Sequence, residues 1–139
     1  RMTASSTARP FEWPIRVYYE DTDAQGVVYY ANYFRFTERA RTEWLRSLGV
    51  DQEQLLNKAR RMFVVVSASA DFIMPARFND QLVVTASLAS LSRAAFDIEQ
   101  QIYRDSTSGT LLLKSTIRAA YLDADTLRPK RIPGDLFEE

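Results

Sequence analysis

The chain has 139 residues, eighteen basic and eighteen acidic side chains, and neither cysteine nor histidine. Those two zeros exclude disulfide frameworks, thiolate nucleophiles, Cys- or His-ligated metal sites and every catalytic relay built on imidazole. The balanced charge argues against a nucleic-acid binder, no apolar run approaches the ~20 residues needed to span a bilayer, and the length suits one domain that buries roughly two thirds of its unfolded surface.

The first ten residues, RMTASSTARP, lack the apolar segment of a secretory leader and read as a disordered tail before a single domain over 11–139. With cysteine absent, the expected compartment is the reducing cytoplasm. Ile15 to Glu20 is rich in β-formers and partly alternates, so it reads as a strand, with Pro14 at its start. Asp21 to Gly26 (DTDAQG) is a turn cluster. From Asn32 to Leu48 the period becomes helical. Tyr33, Phe36, Thr37, Ala40, Trp44 and Leu48 form one apolar face of a rod roughly 25 Å long, and Gly49 stops it. On the charged face, Arg39 and Glu43 are spaced to pair, as are Glu38 and Arg41. A short helical stretch over 51–58 is expected, with Asp51 as its N-cap.

Strands follow. Met62 to Phe72 ends before Pro75, Asn79-Asp80 is a turn, and Gln81 to Leu91 alternates with Leu82, Val84, Ala86 and Leu88 on one side. After the tight connection Ser92-Arg93-Ala94, a strand places Phe96, Ile98 and Ile102 opposite Asp97, Glu99 and Gln101. Thr110 to Leu122 is the last strand, with Lys114, Thr116 and Arg118 on its polar side, and the segment from Asp123 to Glu139 reads as loop. Short turns imply antiparallel pairing, so the expected class is α+β, one antiparallel sheet wrapped around one long helix.

Chemistry concentrates in YYEDTDAQGVVYYANY, residues 18–33. Glu20, Asp21 and Asp23 precede Gly26 and the entry to the long helix. A helix start offers unpaired N–H groups and the positive end of the dipole, which stabilise a carbonyl oxygen gaining charge. A carboxylate beside it supplies a base or nucleophile without His or Cys. The pairing suits acyl transfer better than phosphoryl transfer, because no phosphate loop accompanies it. By spacing alone, though, Asp-rich loops ahead of helices are most often turns and caps.

Residues 11–49, FEWPIRVYYEDTDAQGVVYYANYFRFTERARTEWLRSLG, together with FVV (63–65), PARFND (75–80) and LRPKRIP (127–133), closely resemble the hotdog-fold acyl-CoA thioesterases of the 4-hydroxybenzoyl-CoA thioesterase family, in particular the bacterial branch encoded with the Tol–Pal envelope system. The resemblance implies a hotdog fold, a homodimer or homotetramer with sites at subunit interfaces, and hydrolysis of acyl-CoA, or of an acyl carrier protein thioester, with neither cofactor nor metal. It places Asp23 at the position of the catalytic aspartate, which attacks the thioester or activates water. Gly26 and the Tyr30 amide match the oxyanion-binding turn. Tyr19, Val28 and Asn32 fall where the family shapes its substrate site, and Arg93 matches a basic region that contacts CoA phosphates in some members. Glu38 is the alternative carboxylate, since some branches use one on the helix. The Tol–Pal branch usually has His where this chain has Tyr30. A phenol with a pKa near ~10 donates a hydrogen bond but moves protons poorly at neutral pH, which leaves Asp23 as the main chemical group. A non-catalytic acyl-thioester binding module and a biosynthetic thioesterase for aromatic or polyketide acyl groups are the alternatives.

Overall fold

The computed structural model describes residues 9–137. Of the expected N-terminal tail, residues 1–8 lie outside that range, and Arg9 and Pro10 are exposed without regular structure. Five strands, β1 (Phe11–Arg16), β2 (Arg61–Phe72), β3 (Gln81–Leu91), β4 (Ala95–Arg104) and β5 (Leu111–Asp123), form one antiparallel sheet in the order β1-β3-β4-β5-β2. Helix α1 (Asn32–Ser47) lies on one face and packs on β3 and β1, while the face beside β2 stays open. Among the described residues no helix is long and apolar enough to cross a membrane.

Period-two alternation decides which face of the sheet meets α1. Leu82, Val84, Ala86 and Leu88 are buried on β3, and Phe96, Ile98 and Ile102 on β4. Gln100 shares that buried face. It stays polar at no cost because its amide donates to the carbonyls of Thr37 and Thr85, at 3.0 and 3.2 Å. On α1, Tyr33, Phe36, Thr37, Ala40, Trp44 and Leu45 are buried. Leu48 is only half-buried, because Gly49 at φ +89° turns the chain just beyond it. Asp51 caps α2 (Gln52–Gln54) by accepting the N–H groups of Glu53 and Gln54, and one π-helical turn, Leu55–Ala59, leads to β2.

The first strand is displaced from the expected one. It begins at Phe11 and ends at Arg16, where its partner β3 begins at Gln81. Tyr19–Asp21 is a 3-10 turn, closed by the Asp21 N–H on the Tyr18 carbonyl. Strand-forming side chains without a neighbouring ladder follow the local Asp geometry instead. Pro14 sits inside β1, which tolerates it because β1 is an edge strand.

The helix charges also pair differently. Glu43 takes Arg46 at 2.7 Å, Arg39 lies over the Phe36 ring, and Arg41 turns inward to Gln100. The C-terminal segment is loop over the described residues 124–137, Asp123 being the last residue of β5 and 138–139 lying outside that range, yet it completes the core: Ile132 and Phe137 are buried, and Phe137 stacks on Trp44 with ring centroids 5.5 Å apart.

Candidate active site

The loop between β1 and α1 is held from both sides. Asp21 is buried, and its carboxylate accepts the Tyr18 N–H at 2.8 Å. The Asp21 carbonyl accepts the Tyr29 N–H at 3.0 Å and the Asn32 side-chain amide at 2.9 Å. The Asp23 N–H donates to Val27, closing a tight reversal over Ala24, Gln25 and Gly26. Gly26 sits at φ +80°, a conformation that Gly adopts without the penalty a Cβ brings. Val28 is buried in the core, and its N–H donates to the Ala76 carbonyl at 2.8 Å.

The three acidic residues of the motif are thereby separated in role. Asp21 is spent on folding the loop, and Glu20 is exposed. Asp23 is half-buried; its Oδ1 accepts the Gln25 N–H at 2.9 Å, and among the described residues its Oδ2 receives no hydrogen bond. Its field reaches the Tyr33 hydroxyl. Burial raises that phenol above its ordinary range, and the nearby charges of Asp80 and Asp23 push the same way, against the Ala76 hydrogen bond and Arg104. Asp23 is thus close enough to the first turn of α1 for its charge to act on Tyr33.

At that helix start, the N–H groups of Asn32, Tyr33 and Phe34 donate to the carbonyls of Tyr29, Tyr30 and Ala31. Among the described residues the Tyr30 and Ala31 N–H groups donate to nothing. Sixteen helical residues stand behind them, so the dipole adds to their pull on an anionic oxygen. Tyr30 is 60% exposed, and its ring lies edge-on to Phe72 of β2. One carboxylate oxygen and one or two unclaimed amides next to an apolar wall can activate a nucleophile and hold an oxyanion.

Tyr19 is not on a strand. It stands 79% exposed in the 3-10 turn, edge-on to Phe78. Asn32 is occupied in bracing the loop. Arg93 lies in the β3–β4 turn, eleven strand residues away from the Gln81 end where the Asp23 loop sits, so one chain does not bring the two together. Glu38 is exposed and faces the groove between α1 and β2. Sequence reasoning read Tyr33 as core packing and missed its hydroxyl as an anchor, since periodicity reports a face and not a partner.

The thioesterase-like superfamily model matches residues 17–139. The acyl-CoA thioesterase YbgC of Haemophilus influenzae is 39% identical over 126 residues, covering 91% of this chain and 90% of that protein. The acyl-CoA thioester hydrolase YbgC of Escherichia coli is 37% identical over 129 residues, covering 93% and 94%. Among solved structures, a probable thioesterase from Bartonella henselae superposes with a TM-score of 0.83 at 30% identity, covering 90% of this chain and 100% of that one. The 4-hydroxybenzoyl CoA thioesterase of Pseudomonas sp. strain CBS-3 superposes with a TM-score of 0.85 at 23% identity, covering 94% and 99%, a likeness of fold.

Proposed function

Because the chain belongs to the thioesterase-like superfamily and has its hotdog fold, we propose that it hydrolyses acyl-CoA thioesters to a carboxylic acid and CoA. The relatives named as acyl-CoA thioesterases, matched over nine tenths of both chains, support the reaction class. The observation that supports the site assignment is the unclaimed Tyr30 N–H at the head of α1, with one oxygen of Asp23 left without a hydrogen bond in the loop that leads to it.

The thioester oxygen accepts the Tyr30 N–H, which polarises the carbonyl and holds the charge that develops on it. If Asp23 attacks, its oxygen bonds to the acyl carbon, the C–S bond breaks, CoA leaves as thiolate, and water then cleaves the acyl-aspartyl anhydride to return both carboxylic groups. If Asp23 acts as base, it takes a proton from water as the water oxygen bonds to carbon, and the proton ends on the departing thiolate. Either route suits a thioester, an activated acyl donor with a stable leaving thiolate. Gly26 lets the loop reverse tightly enough to present Asp23. Val28 and Asn32 keep that loop against the core, with Tyr19 at its outer rim.

Arg93 of a second copy is the cation that the CoA phosphates would meet, in keeping with a homodimer or homotetramer. The branch encoded with the Tol–Pal system is part of this reading on the strength of the motif over residues 11–49, and a cytoplasmic setting on the absence of cysteine.

Asp23→Asn tests the assignment. Asn keeps the hydrogen-bond acceptor for Gln25, so the loop is expected to fold, while kcat on accepted acyl-CoAs falls by at least ~100-fold. Near-wild-type CoA release by that variant would overturn Asp23 as the reacting group. Saturable CoA-ester binding with no release by the wild type would favour a binding module instead.

A further inference from the structure

Arg41 carries a charge that, among the described residues, no carboxylate pairs with directly. Its side chain is half-buried, and the partial loss of water is the main influence lowering its pKa, against the nearby Glu38 charge, which raises it. One of its nitrogens, Nη1, donates to the Gln100 amide oxygen at 3.0 Å and to the Thr37 hydroxyl at 3.3 Å, both neutral groups. Among the described residues no carboxylate lies within ion-pair distance, and Nε and Nη2 have no hydrogen-bond acceptor. A charge held against a protein wall is ordinarily paired or hydrogen-bonded, and the free nitrogens of Arg41 stay accessible for that. Here the unpaired side opens onto the groove between α1 and β2, where Arg41 lies between a cavity of ≈110 Å³ reaching Phe63 and a more open stretch reaching Phe34. Arg35 and Glu38 also face that groove, so two cations and one anion leave it net positive.

Its position relative to the thioester site is fixed by helix geometry. Phe34, Glu38 and Arg41 fall on one stripe of α1 that begins in its first turn, just after Tyr30, and runs along the groove. Helical side chains point back toward the N-terminus, and the contact with Thr37 confirms that the guanidinium sits one turn behind its own Cα. Thr37 is five residues beyond Asn32, where α1 begins, about 8 Å along the axis. Val65 and Ala68 of β2 line the intervening wall and give an acyl chain an apolar path.

Resting on the acyl-CoA hydrolase reading above, we propose that this groove selects acyl groups bearing a carboxylate at their far end, and that Arg41 is the specificity-determining residue that receives it. Gln100 and Thr37 hold the guanidinium so that its remaining N–H donors point into the groove, a geometry suited to two parallel hydrogen bonds with a carboxylate. Glu38 stops short of pairing with Arg41 and leaves those donors free.

The test compares octanoyl-CoA with the mono-CoA ester of octanedioic acid, following CoA release by the full chain. Wild type is expected to favour the carboxylate-terminated ester in kcat/KM by about 10-fold or more, the scale of one charged hydrogen bond. Arg41→Lys keeps part of that ratio, and Arg41→Met brings it to one or below, whatever happens to the absolute rates. Equal handling of both esters by wild type overturns the proposal, as expected if a carboxylate of a second copy fills the place instead. A ratio that survives Arg41→Met overturns it equally. Failure of the hydrolase reading is a separate result, no CoA release from either ester. The preference is then read from the affinities of the two non-hydrolysable thioether analogues, with the same expected ratio and the same overturning outcome.

Discussion

The Tyr33 hydroxyl accepts the main-chain N–H of Ala76 at 3.0 Å, inside a fully buried contact. The carbonyl of the same Ala76 takes the N–H of Val28. Ala76, in the connection between β2 and β3, thus fastens both the first turn of α1 and the end of the Asp23 loop, so the two halves of the candidate site share a single point of attachment. Tyr33→Phe keeps the ring and removes the acceptor. Leaving a buried N–H unsatisfied is expected to cost about 1–3 kcal/mol, measured by urea denaturation. Turnover is expected to fall further than stability alone explains, because the loop loses its register against the helix.

Tyr33 also predicts an alkaline limit. Burial raises its pKa in the fold above the ordinary value near 10.0, so the folded state holds the proton more tightly than the unfolded one. The resulting stability is full below the unfolded pKa and declines as pH rises through the raised folded value. Thermal midpoints taken across the alkaline range are expected to fall more steeply for wild type than for Tyr33→Phe.

Asp97 gives the acid counterpart. The Ser90 hydroxyl donates to it at 2.6 Å and Arg118, its cross-strand partner on β5, at 3.1 Å, and together they hold the carboxyl below its usual range. A lowered folded pKa contributes stability above the unfolded value, near ~3.9, that is lost as pH falls through the folded one. Asp97→Asn is expected to flatten the acid limb of a denaturation midpoint series. The effect at neutral pH is expected to be small, because the pair is solvent-screened.

Gly26→Ala separates loop geometry from packing. A Cβ there meets nothing within 4 Å, yet φ +80° disfavours it. The expected destabilisation is modest, about 1–2 kcal/mol. A larger proportional loss of kcat on any accepted acyl-CoA is expected, because the loop relaxes by moving Asp23.

Phe137→Ala tests the C-terminal segment as part of the core. The ring stacks on Trp44 and lies edge-on to Phe96. Its removal is expected to cost about 3 kcal/mol in thermal or chemical unfolding, the scale for an aromatic deleted from a packed core.

The sequence by itself determined the element order, the bounds of α1 and of β3 within about one residue, the buried faces and the Asp51 cap. These follow from hydrophobic period and local capping, which operate within a few residues. It also singled out the Asp23 loop, ahead of the long helix, as the candidate site, and the family resemblance is what proposes Asp23 among its three acids. Tertiary structure alone decided the rest, because the deciding partners lie far along the chain. β1 ends at Arg16 since β3 begins at Gln81; Asp21 is consumed because the loop folds back on Tyr18. Arg41, read as a surface charge from its neighbour Glu38, turns inward because Gln100, fifty-nine residues on, offers its amide oxygen from the buried face of β4. A periodic pattern assigns a side chain to a face of its own element. Which donor or acceptor waits opposite is settled only when the sheet closes on the helix.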